Sequence, residues 1–139
     1  MTTPSTAGAP QIVNINKPGP NESARVKTGT PSVICACGNL SAKGKTPQTV
    51  YALVYQGNID PGQIPSTPPG SAVSTTPGPG GAWFFSGVPD PASSPSPGSA
   101  DTLVVWVLYT DGTHEHTFVY FKGVTSTQTE CEASPTYCE

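Results

Sequence analysis

The stretch Thr102–Val124, TLVVWVLYTDGTHEHTFVYFKGV, constrains the fold more than any other part of the chain. Two runs of β-branched and aromatic residues flank Asp111-Gly112, the pairing signal of a tight β-hairpin. Gly accepts φ > 0 without steric cost and Asp tolerates it, so a two-residue type I′ loop is expected. That loop sets Tyr109 opposite His114, Val107 opposite His116 and Val105 opposite Phe118. On the other face Trp106 would meet Thr117, and Val104 would meet Val119. Both faces of Leu103–Tyr109 are then apolar, which predicts a central strand covered on both sides.

The remaining chain has little option but to add β layers to this hairpin. It holds 17 Pro and 15 Gly among 139 residues, and a proline costs roughly 3 kcal/mol inside a helix. No segment sustains apolar residues at helical spacing. One domain is expected, large enough to bury a core. Only six basic residues occur, scattered and set within a net charge of −3, so no stripe exists to neutralise phosphates and no nucleic-acid partner is expected. No run of 18 apolar residues is present, so no membrane insertion by a helix is expected. The opening MTTPSTAGAP has neither the charged n-region nor the apolar h-region of a signal peptide. Export would then follow loss of a leader or another route, such as release of an assembled particle on lysis.

Taken in order, residues 1–10 form a Thr/Ser/Pro/Ala/Gly arm with nothing to bury. Strands are expected at Gln11–Asn16, Ser23–Thr28, Ser32–Gly38, Thr49–Gln56 and Trp83–Val88, followed by the two arms of the hairpin. Arg25 and Lys27 would blunt Ser23–Thr28 as an edge strand. Asn58–Gly80, with six prolines, and Pro89–Ala100, with four, read as connections without structure of their own. A loop as long as the first is uncommon in a compact domain and tends to be functional or to lie along a surface. Residues 125–139 are a polar tail carrying two cysteines.

Seven short strands separated by turn signals predict an all-β sandwich. The stretches GAWFFSGVP at 81–89 and LVVWVLYTDG at 103–112 resemble strands E and F of bacterial and phage-type immunoglobulin-like domains. Gln11–Asn16, Ser32–Gly38 and Thr49–Gln56 would correspond to strands A, B and C. The resemblance spans residues 11–124 and implies an antiparallel sandwich with extended arms, 1–10 and 125–139, at either end. It departs from antibody domains because strand F carries no cysteine to bridge those of strand B. Members of such families serve in adhesion, surface display and particle decoration, so the resemblance implies binding rather than catalysis.

Four cysteines, Cys35, Cys37, Cys131 and Cys138, in a charge-poor Thr/Ser/Pro/Gly-rich chain favour disulfides and an oxidising environment. Cys35 and Cys37 share one face of a strand, with Cα atoms ~7 Å apart, at the limit of disulfide geometry. Two bridges from strand to tail, a local Cys131–Cys138 loop with two buried thiols, and a four-cysteine zinc site are the alternatives. The spacings C-x-C and C-x6-C do not match the usual zinc signature. His114 and His116 could chelate an ion with Asp111, or form a polar rim at the hairpin tip; the rim is the reading adopted, with no metal and no cofactor. No nucleophile elbow, H-E-x-x-H or spaced carboxylate pair appears, so no enzyme activity is expected.

If Leu103, Val105, Val107 and Tyr109 face the core, Val104, Trp106 and Leu108 face outward, beside Val119 and Phe121. So contiguous an apolar patch needs a cover: the chain's own long loop or arm, another subunit, or a target surface. The expected contact surface is Trp106, Val104, Leu108 and Phe121, with Tyr51 and Tyr55 in support. The expected function is a non-catalytic surface or particle component, extracellular or on a virion. It would build or decorate an assembly through protein–protein contacts, with Pro-rich segments as clamps of low entropic cost. The alternative is a secreted carbohydrate-binding or adhesion module that stacks a glycan on Trp83 or Trp106.

Overall fold

A computed structural model describes residues 13–17, 26–27, 30–40, 46–78, 81–89, 100–122 and 130–131. The arm at residues 1–10, the linker at 90–99 and all of the tail but 130–131 lie outside the described residues, as do residues 23–25 and 28 of the expected second strand. Among the described residues nine strands occur: β1 (Val13–Lys17), β2 (Val26–Lys27), β3 (Thr30–Leu40), β4 (Pro47–Gln56), β5 (Val73–Thr75), β6 (Ala82–Pro89), β7 (Ala100–Tyr109), β8 (His114–Lys122) and β9 (Glu130–Cys131). The seven longer ones form a β-sandwich, in line with the sequence reading. One sheet has β3 between β6 and β1; the other runs β5-β4-β7-β8, all antiparallel. The two-residue β2 extends the first sheet beside the start of β3 and is flanked in turn by β9, in parallel. It is therefore an inner piece and not the edge strand that its charges suggested.

One core fills the space between the sheets. Ile34, Ala36, Leu40, Trp83, Phe85 and Val88 face it from the first sheet; Val50, Ala52, Val54, Leu103, Val105, Val107, Tyr109, Val119 and Phe121 face it from the second. The period-2 alternation of each strand produces this division. Strand β3 runs on through Gly38-Asn39, which reads as a terminator in the sequence. The reason is packing: a Cβ on Gly38 would collide with the Asn14 carbonyl oxygen and sit 2.7 Å from Cζ2 of Trp83. Gly38 is the gap into which β1 and the indole close.

The hairpin forms, but not with the expected loop. Tyr109 N donates to Thr113 O and Gly112 N to Tyr109 O, each at 2.9 Å. Gly112 holds φ +88°, so the connection is a three-residue Thr110-Asp111-Gly112 loop with a left-handed glycine. Asp111 stabilises it by accepting from Thr113 N at 3.0 Å and from Thr113 Oγ1 at 2.6 Å. One extra loop residue shifts the register by one: Val107 opposes Glu115, Trp106 opposes His116, Val104 opposes Phe118 and Leu103 opposes Val119. A one-residue slip turns every β8 side chain to the other face. Val119 and Phe121 consequently enter the core, while His114 and His116 join the face of Trp106 rather than that of Tyr109.

Candidate interaction surface

The site is built on the outer face of the β5-β4-β7-β8 sheet. Register places Tyr51 beside Trp106, Leu53 beside Val104 and Tyr55 beside Thr102, with Phe118 and Tyr120 on the far side. Such a row of aromatic and aliphatic side chains cannot stay open to water as a whole. Residues 57–72, which form a Pro-rich strap, cross it. Ile64 packs with Val104 and Trp106 into a second apolar cluster, joined at its margins by Ile59, Ala72, Tyr51, Leu53, Tyr55 and Phe118.

The strap is fastened mainly by sheet side chains that hold its backbone. Thr102 Oγ1 donates to Gly57 O at 2.7 Å and accepts from Ile59 N at 3.1 Å. Tyr120 Oη donates to Ile59 O at 2.8 Å, and Trp106 Nε1 donates to Pro65 O at 2.9 Å. The buried Asp101 carboxylate accepts from Gly57 N at 3.1 Å, where Gly57 turns the chain at φ +77°. Between these ties a 3-10 turn, Pro61–Gln63, takes up the slack. Prolines need no amide partner and arrive with part of their freedom already lost, so a Pro-rich segment can lie across a sheet without a ladder.

This arrangement corrects the expected contact surface. Trp106 and Val104 are completely buried beneath the strap, and Phe121 is buried in the inner core at 1% exposure. Tyr51, Tyr55 and Leu108 are half-buried on the outer face. What remains for a partner is a row along β4, Tyr51, Leu53 and Tyr55, between the strap and the short edge strand β5, with Phe118 on the opposite margin. Burial pushes the Tyr55 hydroxyl above its ordinary pKa. Phe118, which the expected register set opposite Val105 on the core face, and the strap residues Ile59 and Ile64 were not singled out from the sequence for this surface. The signal was there, because Ile59, Ile64 and Val73 are the only large aliphatics between residues 58 and 80.

The other expected groups separate. His114 is half-buried and His116 exposed on the outer face, whereas Asp111 is engaged with Thr113 at the loop. Glu115, between the histidines, points inward and accepts from the buried Tyr109 hydroxyl at 2.8 Å. Burial first, and then that carboxylate, raise the Tyr109 pKa well above 10.0. Among the described residues no three His, Cys, Asp or Glu side chains converge as ligands. Cys35 and Cys37 lie together on the outer face of β3 against Phe84, both completely buried, and neither is a free thiol. The side chain of Cys131 and the whole of Cys138 lie outside the described residues. Trp83 and Trp106 are both buried, so neither ring offers a flat platform to a glycan.

No protein-family model, curated protein or solved structure matches this chain.

Proposed function

We propose that this protein is a non-catalytic structural module that builds or decorates an extracellular or virion-surface assembly, with further copies of the same chain as its neighbours. The supporting observation is the half-buried Tyr51–Leu53–Tyr55 row, left beside the strap-covered Trp106 and Val104. Tyrosines are enriched in protein contact surfaces because a rigid aromatic body buries much area at little entropic cost while the hydroxyl stays satisfied. The strand order β1-β3-β6 against β5-β4-β7-β8 is compatible with the A-B-E and C′-C-F-G sheets of immunoglobulin-like domains. That resemblance supports binding over chemistry by fold-level analogy.

The test is the double substitution Tyr51→Ser/Tyr55→Ser, followed by sedimentation velocity beside the parent protein. Self-association that weakens at least tenfold, with an unchanged unfolding transition, is the expected result. Equal association of the two proteins would sink the proposal. The alternative, a carbohydrate-binding or adhesion module, has the same tyrosines as its only half-exposed aromatic row on β4. Retention of the parent on an insoluble polysaccharide, lost in the double variant, would favour it.

A further inference from the structure

Resting on the assembly reading above, we infer that the Tyr51–Leu53–Tyr55 row takes an extended, proline-rich backbone, and that its occupant is the strap of a second copy, exchanged reciprocally about a two-fold axis. The same sheet face already displays the chemistry. Beside the row a Pro-rich backbone lies on aromatic side chains, and ring donors hold its carbonyls. Trp106 Nε1 donates to Pro65 O at 2.9 Å and Tyr120 Oη to Ile59 O at 2.8 Å. Asp60 (φ −71°, ψ 134°) and Ile64 (φ −79°, ψ 125°) have the backbone of a polyproline segment. Aromatic-lined surfaces recognise such segments because an already extended chain loses little freedom on docking.

The row continues this contact onto the neighbouring strand. Its two rings share one face, ~13 Å apart over four residues of strand rise, with Leu53 between them. Among the described residues the Tyr109 and Tyr120 hydroxyls have acceptors, whereas those of Tyr51 and Tyr55 have none. Opposite Tyr51 on β5 stands the exposed Ser74, too small to close the row on that side. The strap supplies the matching half. Its Ser66 and Thr67 are exposed, and among the described residues no hydrogen bond engages their carbonyls.

Area decides between a loose peptide and a second copy. Full burial of an aromatic side chain removes roughly 150–250 Å² from water, so two tyrosines already half-buried and one leucine add about 200 Å² at most. A specific contact takes about 800 Å² from each partner. The row is too small to hold a partner by itself, so the surface beside it must share the contact. That surface is the strap, a ridge one chain thick along the floor of the row. Two copies meeting face to face, with the two-fold axis between ridge and floor, set each strap on the other's row. One patch then serves both chains, as an isologous contact requires.

The test compares three full-length proteins by sedimentation velocity: the parent, Tyr51→Ser/Tyr55→Ser and Ser66→Lys/Thr67→Lys. The lysines stand at exposed strap positions and reduce the net charge of −3, so general repulsion cannot account for a loss. The expected result is association at least tenfold weaker in both variants, with the unfolding transition of the parent kept. Loss in only one variant would overturn this inference; loss in the tyrosine variant alone would leave the assembly reading standing. Equal association of all three proteins, or none in the parent, would overturn both. In the parent itself, amide exchange at Ser66 and Thr67 should slow as concentration rises. Exchange that stays constant while the protein associates would also overturn the inference.

Discussion

Single residues decide more of this structure than their size suggests. Gly38 is required because a methyl group there meets the β1 backbone and the Trp83 ring together. Gly38→Ala should therefore cost about 2–3 kcal/mol as an overpacking change. Gly112→Ala, which strains only a left-handed φ in open space, should cost about 1 kcal/mol. Denaturant midpoints at equal m-value measure both, and the reverse ranking would contradict the packing argument. Tyr109 supplies a pH test. Its folded pKa lies above the unfolded 10.0, through burial and the Glu115 carboxylate. The stability that neutral Tyr109 provides is complete below pH 10 and is lost as pH rises beyond it. Tyr109→Phe should lower stability by roughly 1–2 kcal/mol at neutral pH, by loss of the Glu115 bond. The same substitution should flatten the alkaline decline, read from thermal midpoints across the alkaline range.

At the level of elements, the strap carries the main new feature of the fold. Its ties are mostly donors and acceptors of β7 and β8 side chains, with Thr102 serving both Gly57 O and Ile59 N. Thr102→Val keeps the shape and removes both bonds, leaving two backbone groups without their partner. A loss of about 1–3 kcal/mol is expected, with faster amide exchange at Ile59 while β4 and β7 stay protected. Unchanged exchange at Ile59 would mean that apolar contact alone holds the strap. The long strands were legible because alternation over eight or more residues, bounded by Gly and Pro, has no helical rival. The strap was legible only as a long loop in need of a role. Its place depends on Ile59 and Ile64 meeting Trp106 across more than forty residues of sequence, and no local pattern records such a contact. The hairpin register failed for a related reason. Asp-Gly fits both a two-residue and a three-residue loop, and the choice rests on which β8 residues the core accepts. Phe121 and Val119 go in, so the longer loop wins.

At the scale of the whole molecule, the sandwich reading followed from composition and strand spacing, but the contact surface did not. Sequence alone puts Trp106 and Val104 on an outer face without showing that the chain covers that face itself. The two tryptophans give a direct check on this closure. Both are buried, so their emission should be blue-shifted and resist iodide quenching until global unfolding. A quenchable indole in the folded protein that disappears in Trp106→Phe, and so belongs to Trp106 rather than to Trp83 of the inner core, would mean that the strap is open. Beyond closure, the central claim is that the tyrosine row joins copies of this chain. The most direct measurement is the native mass of the intact, oxidised protein by light scattering over a wide concentration range. The expected result is a mass that climbs above that of the 14.3 kDa chain with concentration and falls back in Tyr51→Ser/Tyr55→Ser. A mass that stays at one chain throughout, identical in parent and variant, would contradict the account.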